Sequence, residues 1–256
     1  MYSEEFKNLV ESELTKNSFI GFGNPNAKIL IVGKEVSNSN DKEGMNFYKR
    51  NTEIWKSNIK NNIKQEDIND CSIEHNPLFA YKGLTKKENI SDTWTNYQKL
   101  HDIIFERKDN SIKETIINFQ KDFFLTEMSE MPAKTTKTAQ EKIEFKEKLK
   151  KRKAEFFNKN AFIQNFPVVV LACSNYIWNK ENDLQIKDIF DVTYSENKEY
   201  PKGFYESSSK NRFWIHYSAN SEKLVIHTRQ LSNNVKNDML TEMGTLIKHH
   251  LAKLNQ

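Results

Sequence analysis

The chain has 256 residues, 37% apolar and 29% charged, with a formal charge of +4 at pH 7. That length admits one large domain or two small ones, and 17 Phe, 9 Tyr and 4 Trp supply bulky groups for a core built from few positions. Cys71 and Cys173 stand too far apart for a disulfide framework or a zinc site to be read from them, and no run is apolar for long enough to span a bilayer.

The opening segment, MYSEEFKNLVESEL, is amphipathic and acidic and lacks the charged and apolar regions of a secretion signal, so a soluble cytoplasmic protein is expected. Lys28 to Val32 form an apolar run between GNPNA and Gly33, the pattern of a strand buried on both faces. Aromatic residues at helical spacing follow in MNFYKRNTEIW and TWTNYQKLHDIIF. A second buried strand is expected within Asp122 to Ser129 and a third within Phe166 to Ser174, separated by the charged, helical segment Gln140 to Phe157. MPAKTTKTAQEK, Met131 to Lys142, is polar and threonine-rich and is the one stretch with a flexible composition.

A short strand is expected at Asp188 to Tyr194, then strands at RFWIHYS and KLVIHT. A closing helix runs from about Val235 to Lys253, where Val235, Met239, Leu240, Met243, Leu246, Ile247 and Leu251 share one face. Strands alternating with helices predict a single domain over residues 1–256, a three-layer α/β/α sandwich with a mainly parallel central sheet.

In open α/β sheets ligands bind beyond the carboxyl ends of the strands. The residues there are Glu35 and Ser37 after the first strand, Thr126, Glu127 and Ser129 at the second, Ser174 and Asn175 after the third, and His227 with TRQLS after the last. Two carboxylates, a histidine and several hydroxyls therefore converge on one edge. The run KEKLKKRKAEF, Lys146 to Phe156, concentrates positive charge that either tracks a nucleic-acid backbone or forms a solvated helix face.

GFGNPNAKILIVGKE resembles the opening of the uracil-DNA glycosylase superfamily, in particular its bacterial and archaeal branch. IHTRQLS falls where that superfamily carries its second motif, FFLTEMSEMPAK where it has its middle strand, and FIQNFPVVVLACSNYI where a later strand enters a helix. The resemblance implies a DNA-base glycosylase without cofactor or metal, acting on DNA as a monomer. Its two cysteines fall short of the four that the branch's iron–sulfur cluster needs.

Carried over residue by residue, the resemblance makes Glu35 the carboxylate that orients a water and stabilises the cationic sugar, unless it only caps the following loop. His227 becomes the histidine that hydrogen-bonds the departing base, unless it is a satisfied structural group, and Leu231 the wedge that enters the base stack, unless it packs against the final helix. Arg229 and Ser232, near a helix start, would hold a phosphate, and an aromatic group near Phe47 and Tyr48 would stack on the flipped base unless these rings pack in the core. Glu127 stands where the family has a base-reading asparagine. As an ionised acceptor it would disfavour uracil and suit a base edge rich in N–H donors. Lys34 stands where one branch has a glutamate, and the second motif lacks its Pro-Ser. Two other readings keep the same pocket: a catalytically inactive nucleic-acid-binding protein, and an α/β enzyme acting on a free nucleoside or nucleotide.

Overall fold

The computed structural model describes residues 2–16, 18–37, 41–69, 76–84, 91–107, 116–180, 182–196 and 199–255. Helix α1 (Glu4–Leu14) is capped by Ser3, whose side chain accepts from the Phe6 N–H. The strands β1 (Phe22–Gly23) and β2 (Ile29–Gly33) follow, then helices α2 (Asp41–Lys60) and α3 (Asp92–Ile104) and strand β3 (Phe123–Glu127). Next come α4 (Thr136–Gln140), α5 (Phe145–Arg152), a wide π-type turn at Lys153–Asn158, α6 (Ala161–Gln164) and β4 (Val168–Leu171). A small ribbon, β5 (Asn179–Lys180) with β6 (Asp183–Leu184), precedes α7 (Gln185–Phe190), β7 (Thr193–Tyr194), β8 (Phe204–Ser208), β9 (Asn211–Tyr217), β10 (Leu224–Thr228) and α8 (Asn237–Leu254).

Among the described residues the main sheet has the order β1-β3-β2-β4-β10-β9-β7, with β8 also pairing on β9. Its centre, β3-β2-β4-β10, is parallel, while β1, β9, β8 and β7 attach antiparallel at the flanks. The expected mainly parallel sheet is thus a parallel core within a mixed sheet.

Alternation along the central strands makes the layers. Leu30, Val32, Phe124, Val169 and Val225 face a core closed by α1, α5, α6 and α7. Ile29, Ile31, Phe123, Leu125, Val170 and Ile226 face a second core closed by α3 and α8. Burial on both faces is why these strands read as unbroken apolar runs. Helix α2 crosses the edge between the cores, with Trp55 in the first and Tyr48 in the second, and the Trp55 indole N–H donates to the Gly21 carbonyl at 2.9 Å.

The strand expected at Asp188 to Tyr194 is mostly helix. Ile186, Ile189 and Phe190 lie at helical spacing in α7, and Asp191 ends it in the left-handed region at φ 52°, leaving only Thr193–Tyr194 as strand. The threonine-rich stretch forms α4, capped by the Thr135 side chain. The charge run divides: Lys146, Lys150 and Lys151 are exposed at α5, whereas Arg152 is buried and structural. Cys173 is a buried free thiol, and Cys71 lies outside the described residues.

Candidate functional site: a carboxyl pair beside a cationic groove

The chain leaves β2 and β4 in opposite directions, toward β3 and toward β10, so a crevice opens at their carboxyl ends. Gly33 pairs with Glu127 across β2 and β3. Beyond the sheet the two exits stay zipped: Met128 N–H donates to Gly33 O at 2.9 Å, Ser129 N–H to Lys34 O at 2.7 Å and Ala133 N–H to Val36 O at 3.2 Å. This ladder holds Glu35 over the end of β3.

Glu35 Oε1 accepts from the Thr136 hydroxyl at 3.3 Å, and Oε2 is sealed from solvent without a hydrogen-bond partner. The Tyr176 hydroxyl lies alongside it, near enough to favour its charge but outside hydrogen-bond geometry. Lys34 Nζ donates to Thr136 Oγ1 at 3.2 Å and sits 5.4 Å from the centre of the Tyr176 ring. Burial raises the Glu35 pKa, and Tyr176, Lys34 and Thr136 oppose the rise.

Glu127 differs in kind. Burial, reinforced by the Glu35 charge, pushes its pKa up to about 8 against the pull of Arg152. Arg152 spends its donors elsewhere: Nε on Glu127 O at 2.9 Å, and Nη2 on Phe19 O at 2.8 Å and Thr126 Oγ1 at 3.2 Å. Glu127 Oε2 is buried and unpartnered, and it occupies the space of a missing side chain, since a Cβ on Gly33 would fall 2.2 Å from it. At neutral pH this carboxyl is protonated and presents one donor and one acceptor. This burial favours a neutral Glu127 over the acceptor-only carboxylate expected from the sequence.

The aromatic group in the field of this pair is Tyr48. Its hydroxyl is buried, approaches the Val36 backbone without hydrogen-bond geometry, and feels Glu127 and Glu35. Phe47 is half-buried and packs on Phe19 at 5.9 Å and against Tyr48 at 6.2 Å.

His227 pairs with Leu171 of β4 and so sits at the same edge, two strands from β2. Its Nε2 lies 2.8 Å from Ser174 O, a carbonyl that can only accept, so Nε2 carries the hydrogen. Burial lowers the pKa of His227 against the pull of that carbonyl, so the neutral ring has only the Nδ1 lone pair left. The expected hydrogen bond from His227 to a departing base is therefore unavailable in this arrangement.

Leu231 corrects the wedge reading. It is fully buried in the core against α3 and α8, where it cannot enter a base stack. Ser232 and Leu231 present their carbonyls to Asn96 Nδ2. Helix α8 begins only at Asn237, so neither Arg229 nor Ser232 stands at a helix N-terminus. Arg229 instead bonds Asn233 O at 3.0 Å and lines an open groove of about 660 Å³. His227, Trp214, Arg212, Lys210, Lys180 and Trp178 share that groove, which Glu35 and Glu127 do not line.

Thr136 and Tyr176 escaped sequence reasoning, and Arg152 was read only as part of a charge run, because only the tertiary fold brings them to the pair. Arg212 and Trp214 were findable: in NRFWIHY they alternate with buried Phe213 and Ile215 and so point off the core. No protein-family model and no curated protein matches the sequence. Among the described residues no helix is long and apolar enough to cross a membrane, and no three His, Cys, Asp or Glu side chains are grouped to hold a metal.

Proposed function

We propose that the chain is a hydrolase that cleaves the N-glycosidic bond of a base in nucleic acid, carried by one observation: two carboxyl groups, Glu35 and Glu127, lie together at the strand ends, both pushed toward the neutral form by burial, with only Glu35 held back by Tyr176, Lys34 and Thr136. Glu35, whose charged form Tyr176, Lys34 and Thr136 favour against burial, is given the role of the ionised member. It takes a proton from a water whose oxygen bonds to the sugar carbon as the bond to the base breaks, and its charge offsets the cationic sugar. Glu127, neutral, offers its O–H and C=O to the base edge. A lactam edge, with adjacent N–H and C=O as in uracil or hypoxanthine, complements that pair.

The test is incubation with oligonucleotides carrying uracil, hypoxanthine, xanthine or an oxidised base, followed by alkali to break abasic sites. Strand breakage is expected, with Glu35→Gln slower by about 10²- to 10⁴-fold at unchanged melting temperature. A second reading, binding without catalysis, is favoured by the burial of Leu231 and the committed Nε2 of His227. Salt-sensitive binding with no breakage on any substrate would select it.

A further inference from the structure

We infer that the groove beside His227 seats an unpaired nucleic-acid strand, with bases stacked on its planar side chains and phosphates held by its rim cations. The inference rests on the nucleic-acid part of the function proposed above and adds which form of nucleic acid is bound. Among the described residues four cations line the groove, Lys180, Lys210, Arg212 and Arg229, and no carboxylate does. Two acids beside groove residues are occupied: Glu206 accepts from Arg212 Nε at 2.9 Å, and Asp183 accepts the Trp178 indole N–H at 2.8 Å. Both fix a groove residue in place without facing the ligand space.

The planar groups form two platforms. On β8, β9 and β10 the Arg212 guanidinium lies 5.3 Å from the centre of the Phe204 ring and 5.5 Å from that of Trp214, and Trp214 stacks on His227 at 5.5 Å and 28°. Across the groove Lys180 lies 4.8 Å over the Trp178 ring. Lys180 is exposed, so its ammonium can leave the ring for a phosphate at small cost and uncover a face for a base. Aromatic faces interleaved with cations are the chemistry of single-strand binding, since every base has a π-face whatever its sequence.

Among the described residues the same edge presents no exposed apolar wedge to open a duplex. Leu231 is buried, and the exposed large apolar side chains among the described residues, Met45, Phe105, Ile116, Ile143 and Tyr194, do not line the groove. An unpaired base needs no wedge.

Fluorescence anisotropy of a labelled oligothymidylate, the same strand in a duplex, and competition by inorganic polyphosphate test the inference. The single strand is expected to bind at least tenfold tighter than the duplex, with log K falling against log salt at a slope of about −2 to −3 for three or four phosphate contacts. Trp178→Ala and Trp214→Ala should each weaken binding about 5- to 100-fold, and Trp214→Phe should restore most of it. Should Trp214→Ala fail to fold, Trp178→Ala and Lys210→Ala still carry the test. Equal affinity for the duplex, equal competition by polyphosphate, or folded tryptophan variants that bind normally would overturn the inference. Base release with unchanged KM in Trp178→Ala would overturn it while leaving the hydrolase standing. Tight strand binding without base release would do the reverse.

Discussion

The surroundings of Glu127 favour its neutral form. Gly33 leaves room for its carboxyl, Arg152 turns its donors to backbone carbonyls, and Glu35 adds a like charge. The folded state favours that proton up to about pH 8, whereas the unfolded chain releases it near the ordinary carboxyl value of 4.5. Between those values the folded protein binds more protons, so stability falls as pH rises through that window and levels off above it. Glu127→Gln should remove that slope and melt several °C above the parent at pH 9, with the gain gone at pH 4. Parallel melting curves across the range would show that the carboxyl is ionised at neutrality. Gly33→Ala is expected to cost about 1–3 kcal/mol, because the new methyl collides with Glu127 Oε2; unchanged urea unfolding would refute the packing. The sequence showed where Glu127 stands but not its proton, because the partners that set it come from β2 and the end of α5.

At the scale of elements, the long apolar strands and α8 were legible because burial on two faces or on one stripe repeats over enough residues to leave a pattern. Helix α7 was not, since Ile186, Ile189 and Phe190 fit a strand or a helical turn equally until packing decides. The loop from β10 to α8 shows how a motif can keep its position and change its use: Leu231 sits where a wedge was expected and fills the core. Leu231→Ala should destabilise by about 2–5 kcal/mol in chemical unfolding while leaving base release from a single strand intact below the melting transition. Lost release with unchanged stability would restore the wedge. Arg152→Ala should cost about 3 kcal/mol by stranding buried carbonyls of Phe19 and Glu127, against little for Lys151→Ala on the exposed side of α5; similar values for the two would mean that the buried guanidinium contributes no net stability.

At the scale of the molecule, the order β3-β2-β4-β10 puts the ends of β2 and β4 at the point where the chain diverges, and the carboxyl pair and the groove follow from that placement. The alternation of strands and helices made the layers readable. The antiparallel flank of β9, β8 and β7, which supplies Arg212 and Trp214, was only partly so, because its pairing partners lie on other strands. The central claim is that Glu35 works ionised beside a neutral Glu127. Its most direct test is the rate of base release from a uracil-bearing single strand between pH 5 and 10, for the parent and for Glu127→Gln. The account expects the parent rate to fall about tenfold per pH unit above about 8 as Glu127 ionises, and the Gln variant to hold its rate there. A parent rate that stays level through pH 9, the same fall in both proteins, or no release at any pH would contradict it.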